Sequence, residues 1–199
     1  MSPTDPCTGK ALERLERVRY VSGLVLGVDE FRAEQDYFRK RLRRHNLLLH
    51  GWGIVCGLGV TANSEPWTVF VEPGYAIDQW GEEIVLDVAQ VADARPHCHG
   101  REHCRLYVAI RYRAIPASLV PVPAIPENEG EQVVHYSRWI DGYELVLLEQ
   151  CPTWEESAPD GSLGDEENNP WIVLGQITAD ANGEVSVHRC RQRRRLRLD

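Results

Sequence analysis

Residues 29–49 contain no proline and no glycine, and Phe31, Phe38, Leu42, His45 and Leu49 recur among them at helical spacing. This stretch is predicted to be one helix, residues 29–50, with Asp29 as its cap, Glu30 in its first turn and Gly51 as its stop. Beyond Gly51 the period changes. "GIVCGLGVTA", "WTVFVEPGYAID", "EEIVLDVA", "RLYVAIRYRAI", "QVVHYSRWIDGYELVLLE", "WIVLGQITAD" and "GEVSVHR" are short runs rich in Val, Ile, Tyr and Trp, each bounded by turn formers. Such runs read as strands. One long helix before many short strands points to an α+β fold that is mostly β, an antiparallel sandwich or barrel-like body carrying a long N-terminal helix.

Two hairpins can be placed. "TVFVEPGYAID" and "EEIVLDVA" are separated only by "QWG", and "ITADANGEVSV" turns at Asn182-Gly183, a favoured hairpin dipeptide. Residues 1–28 read as an arm with a short helix or strand, and residues 51–199 as the β domain. Within it, residues 114–132, with four prolines from Pro116 to Pro126, and the acidic, turn-rich residues 152–170 are expected to be mobile loops.

The chain has 199 residues, enough for one domain with a real core. Its net charge of -8 argues against a surface built as a whole for phosphate backbones. The start "MSPTDPCTGK" lacks the basic and apolar regions of a secretory signal, so synthesis in the cytoplasm is expected. No apolar run is long enough to cross a bilayer. With no export signal, the six cysteines are expected to stay reduced, and Cys56 to be a small core hydrophobe.

The sharpest chemical feature is "HCHGREHC". His97, Cys98, His99, His103 and Cys104 supply the imidazole and thiolate ligands that zinc favours. A structural zinc there is one reading, and a loop of free side chains is the plainer one. A zinc enzyme is the rival function, although Gly100 and the displaced Glu102 fit the helical H-E-x-x-H arrangement poorly. No nucleophile elbow or phosphate-binding loop is present, and Glu82 and Glu83 are adjacent, so in a strand they face opposite ways. No catalytic residue is assigned.

Five cations crowd residues 39–44. They suit the C-terminal half of a helix dipole and lie mostly off the apolar stripe, so a solvated or subunit-facing side explains them. The alternative is nucleic-acid binding by Arg39, Arg41 and Arg44, with His45, Asn46 and His50 as base partners, which the acidic total opposes. The C-terminal "RCRQRRRLRL", with Arg193 and Arg195, reads as a charged edge or a docking arm. Trp52, Trp80 and Trp139 are candidate interface anchors, because tryptophan and arginine are favoured there.

Several stretches together resemble a family of bacterial proteins associated with phage-like contractile tails and extracellular contractile injection systems. They are "YVSGLVLGVDEFRAEQDYFRKRLRRHNLLLHGWGIVCGLGV", "VFVEPGYAIDQWGEEIVL", "LYVAIRYRAIPASLVPVP" and "SRWIDGYELVLL". The most specific are "RLRRHNLLLHGWGIVCGL" and "PGYAIDQWGEEI". The resemblance implies a tail-fibre or baseplate-like accessory part of a particle, without catalytic residues. Its partners would be other subunits, in repeated copies or as a homo-oligomer. It would be assembled into a phage-like particle, with release from the cell as a further option.

Overall fold

The computed structural model describes residues 14–98, 100–122, 133–152, 169–188 and 190. The helix forms as the spacing requires. α1 (Val28–His45) is followed by a five-residue π turn (Asn46–His50), and Gly51 ends it at a positive φ of 78°. The cap differs from expectation: Gly27 is the N-cap, and Glu30 reaches back to accept its N–H at 2.7 Å, which places Asp29 inside the first turn. The small, flexible glycine lets the chain enter the helix while Glu30 satisfies an otherwise orphaned donor.

The body is mostly β, with ten strands among the described residues arranged in three antiparallel sheets and no closed barrel. β1 (Gly53–Gly57), β4 (Gly74–Ile77) and β5 (Glu83–Leu86) form one, in the order β1-β4-β5. β2 (Val60–Ala62), β3 (Thr68–Val71) and β6 (Gln90–Asp93) form the second. The third is built on β7 (His103–Val122), β8 (Val133–Leu148), β9 (Ile172–Asp180) and β10 (Val185–His188), ordered β10-β9-β7-β8. The expected β4–β5 and β9–β10 hairpins are both present. β6 and the single-turn α2 (Arg95–Cys98) had no distinct sequence signal.

Alternation along the strands builds the core. Leu106, Val108, Ile110 and Tyr112 on one face of β7 meet Ile54, Val69, Val71, Ile84, Leu86 and Leu174 from the other strands, all buried. Cys56 does not join them. Its register shifts against β4 after Ile54, and the side chain is turned out to solvent. The proline-rich stretch is also corrected: residues 114–122 continue β7 instead of looping, paired with β8 as far as Val122↔Val133. Pro116 and Pro121 are tolerated because β7 has a partner on only one side there, as on any edge strand. Of residues 152–170, only 152, 169 and 170 are described.

Candidate protein-protein interface

Two features stand apart from the core: the helix and the outer half of the β7–β8 hairpin. The helix meets the body through its polar side. Arg43, 4% exposed, donates to the Glu82 carboxylate, which also receives Arg39 at 3.3 Å. Three residues on, the buried Asn46 donates to the Gly81 carbonyl at 2.9 Å and to Glu83 at 3.3 Å. Residues 39, 43 and 46 lie along one helix face, and that face seats on the β4–β5 turn.

The turn is made to receive it. Asp78 accepts the N–H groups of Trp80 and Glu82 at 2.8 and 2.9 Å, which fixes residues 78–82 as a compact loop. Gly81 has φ +85°, and a Cβ there would fall 2.8 Å from the Arg43 Cα, so only glycine lets the helix backbone come this close. Asp78 is completely buried, and burial pushes its pKa up to about 7 against the opposing pull of the two amide N–H groups and Arg43. Its second carboxylate oxygen has no partner among the described residues, nor do Nε and Nη1 of Arg43. Nearby, Tyr75 is raised by burial and by its hydrogen bond to Glu83, and Tyr112 by burial and a 2.7 Å bond to Asp141.

The docking takes up part of the basic side, which the sequence reads as solvated or subunit-facing, and leaves the apolar stripe outside. The apolar stripe is not the seated side: Phe31, Phe38, Leu42 and Leu49 are all half or more exposed. Nor is the basic side wholly wet, because Arg43 is buried and Arg39 is ion-paired. Charge wins because the β4–β5 turn offers Glu82, Glu83 and an open carbonyl, and a helix set on such groups must present donors. Asn46 is therefore committed to Gly81 and is not available to read a base edge. Arg41 points away from the body, with Tyr37 as its partner at 3.4 Å.

The outer hairpin is the second feature. β9 pairs with β7 only as far as Ile110, so residues 111–122 and 133–144 form a two-stranded ribbon about 40 Å long. On its outward face Arg111 and Arg113 meet Glu144 at 2.7 and 3.4 Å, and Arg111 also lies 4.5 Å from the Trp171 ring centre. Beyond that charged collar the same face turns apolar, with Ile115 across from Ile140 and Leu119 across from Tyr136. The opposite face carries Trp139, 65% exposed. An isolated ribbon of this kind is marginal in water, and exposed apolar residues grouped on one element mark a contact surface.

Of the other residues singled out, Trp52 and Trp80 are half-buried, and Arg193 and Arg195 lie outside the described residues. In the His/Cys cluster, Cys98 at the end of α2 and Cys104 near the start of β7 form a disulfide, with Cα atoms 5.3 Å apart. This corrects the expectation of reduced thiols. α2 and the turn after it bring the chain back on itself within six residues, inside the reach of a bridge. Joined sulfurs are not thiolate ligands. No group of three or more His, Cys, Asp or Glu able to hold a metal occurs among the described residues, which exclude His99.

No family model and no curated protein matches the sequence. Among solved structures the fold is similar to that in "Crystal structure of TssK", with a TM-score of 0.51 and 12% identity over 88% of this chain and 41% of that one. Two further likenesses are weaker. A TssK-TssF-TssG baseplate subcomplex of the type VI secretion system gives 0.49 at 15% identity, covering 88% of this chain and 60% of that one. A type VI baseplate complex gives 0.46 at 14%, covering 88% and 41%. The chain thus spans 41–60% of the length of the chains it matches. At these identities the likeness is one of fold alone.

Proposed function

We propose that this chain is a non-enzymatic structural or adaptor component of a phage-tail-like contractile injection assembly, acting through contacts with other subunits. The observation that carries the reading is the ribbon beyond Glu144, where Leu119, Tyr136, Trp139 and Ile140 stay exposed among the described residues. In an assembly, Leu119, Tyr136, Trp139 and Ile140 would pack against neighbouring subunits, and the marginal ribbon would gain its third layer. The ionisable groups support the same reading. Asp78, Glu82 and Glu83 are committed to the turn and to holding the helix on the body.

The fold shared with TssK is consistent with a place at the baseplate and leaves fibre attachment and capping open as alternatives. The Cys98–Cys104 bridge supports a particle that works beyond the reducing cytoplasm, since such bonds persist in oxidising surroundings. The test is incorporation. Particles purified from cells carrying a tagged chain should contain it in fixed ratio to sheath and baseplate subunits. Tyr136→Ser/Trp139→Ser should abolish incorporation while leaving the thermal transition of the free chain in place. A chain absent from intact particles, or a double variant incorporated normally, overturns the reading.

A further inference from the structure

The exposed stripe of α1 has a finer order than amphipathicity requires. Phe31, Phe38, Leu42, His45 and Leu49 follow one another at 7, 4, 3 and 4 residues, and Val28 and Gln35 fill the remaining places of the same pattern. That is the a/d seam of a coiled coil, in which residues alternate at three and four. Every one of these seven side chains is exposed. The seam lies about a quarter turn from the docked face of Arg39, Arg43 and Asn46, because neighbouring residues are roughly 100° apart around the helix. Seating α1 on the β4–β5 turn therefore leaves the seam exposed among the described residues, over about 27 Å for the α-helical part.

We infer that this seam is occupied by α1 of a second copy of the chain, packed antiparallel about a two-fold axis. Charge determines both the partner and the direction. The first half of the helix carries Asp29, Glu30, Glu34 and Asp36 against one cation, Arg32, whereas the second half carries Arg39, Lys40, Arg41, Arg43 and Arg44. Parallel pairing would set Glu34 and Arg41 of each copy against the body-side flank of the other, where Arg39 and Asn46 are already bound to Glu82 and Gly81. Antiparallel pairing lays the acidic half over the basic half twice, as a two-fold axis requires.

The flanks agree with that direction. The flank on the body side, Arg32, Arg39 and Asn46, is taken up at Arg39 and Asn46 by Glu82, Gly81 and Glu83. The other flank carries Glu34, half-buried, and Arg41, exposed. In an antiparallel pair with Phe31 against Leu42 of the second copy and Gln35 against Phe38, Glu34 comes beside Arg41, and the pair forms twice. Within its own chain Glu34 Oε2 is buried without a hydrogen-bond partner among the described residues. The seam buries on the order of 1,000 Å² in total, the small end of specific interfaces, so the dimer should depend on concentration.

The inference is independent of the assembly reading, because a dimer in solution needs no particle, and a particle subunit need not dimerise through this helix. Sedimentation equilibrium of the full chain across a hundredfold concentration range should show a monomer–dimer equilibrium. Leu42→Glu should weaken the dimer at least tenfold, and Phe31→Gln is the milder second variant should the first fold poorly. Both residues are exposed, so unfolding of the monomer should be little changed. Glu34→Arg and Arg41→Glu should each weaken association several-fold, and the double variant Glu34→Arg/Arg41→Glu should restore it, because both ion pairs are rebuilt with their signs exchanged. A monomer at every concentration, a dimer indifferent to Leu42→Glu and Phe31→Gln, a higher oligomer, or a double variant no better than the singles overturns the inference.

Discussion

Two turns in this molecule are written with one pattern, "DQWGE" at residues 78–82 and "DANGE" at residues 180–184, and they fold alike. In each, the first aspartate accepts the backbone N–H groups of the third and fifth residues, at 2.8 and 2.9 Å in the first turn and at 2.9 and 2.8 Å in the second. In each, the glycine N–H donates to the aspartate carbonyl at 3.1 Å, with φ of +85° and +86°. Their surroundings differ. Helix α1 covers the first turn and buries Asp78, whereas Asp180 stays at the surface. Burial raises the Asp78 pKa to about 7, while Asp180, held mainly by the Glu184 N–H, is lowered. The local turn fixes the shape, and the covering element fixes the sign of the electrostatics.

The comparison breaks most visibly at its last residue. Glu82 is paired with the buried Arg43 and the part-exposed Arg39, whereas Glu184 is exposed. Glu82→Ala leaves the Arg43 guanidinium buried and uncompensated, which costs about 3–5 kcal/mol. Glu184→Ala should stay within about 0.5 kcal/mol, as surface changes do. Urea unfolding of the two variants checks the contrast, and equal losses would mean that the helix is not held by this ion pair.

The next effect is one of sign. Unfolded, Asp78 loses its proton near 3.8, and folded, near 7. Between those values the folded state holds one proton more, so its stability falls as pH rises and levels off above about pH 7. Asp180 works in the opposite sense. Its lowered pKa contributes stability above its unfolded value that is lost as pH falls through the folded one. Relative to Asp78→Asn, the parent chain should therefore lose on the order of 2–4 kcal/mol between pH 4 and pH 8. Relative to Asp180→Asn it should gain over the acid range. Parallel pH profiles for the two differences would sink the assignment.

A smaller contrast lies at the glycines. Alanine at 81 would meet the backbone of Arg43 and at 183 the ring of Trp67, both at a positive φ. A ring can tilt and a docked helix backbone cannot, so Gly81→Ala should cost about 2–3 kcal/mol and Gly183→Ala about 1. Thermal unfolding of both variants measures the difference.

Much of this architecture was legible in the sequence, and its failures have a common cause. Periodicity placed α1, the strands and both hairpins because those signals are local. It could not say which side of α1 is seated. The spacing of Phe31, Phe38, Leu42 and Leu49 marks an apolar stripe, and the usual inference buries such a stripe in its own chain. What overrode it was a second pattern, Arg39, Arg43 and Asn46, whose meaning depends on Glu82 and Gly81 some forty residues away. Asn46 was legible only as a polar group or base partner, and Asp78 only as a turn former. The prolines of residues 114–122 read as a loop because the edge on which they are tolerated is a property of the sheet. The Cys98–Cys104 bridge was missed because the expected compartment outweighed the spacing.

The finest test leaves the backbone as it is and exchanges the words of the turn. Ala181→Gln/Asn182→Trp converts the exposed turn into the text of the buried one. Ala181 and Asn182 are both exposed, and apart from a long 3.5 Å bond from Asn182 Nδ2 to Asp180 the turn is shaped by Asp180 and backbone N–H groups, so stability should move by no more than about 0.5 kcal/mol. Asp180 followed by NMR titration should keep its lowered pKa, because no helix arrives to exclude water from the rewritten turn. If its pKa instead climbs above that of an ordinary aspartate, then the raised value at Asp78 belongs to the five residues themselves, and α1 is a bystander to the charge it covers.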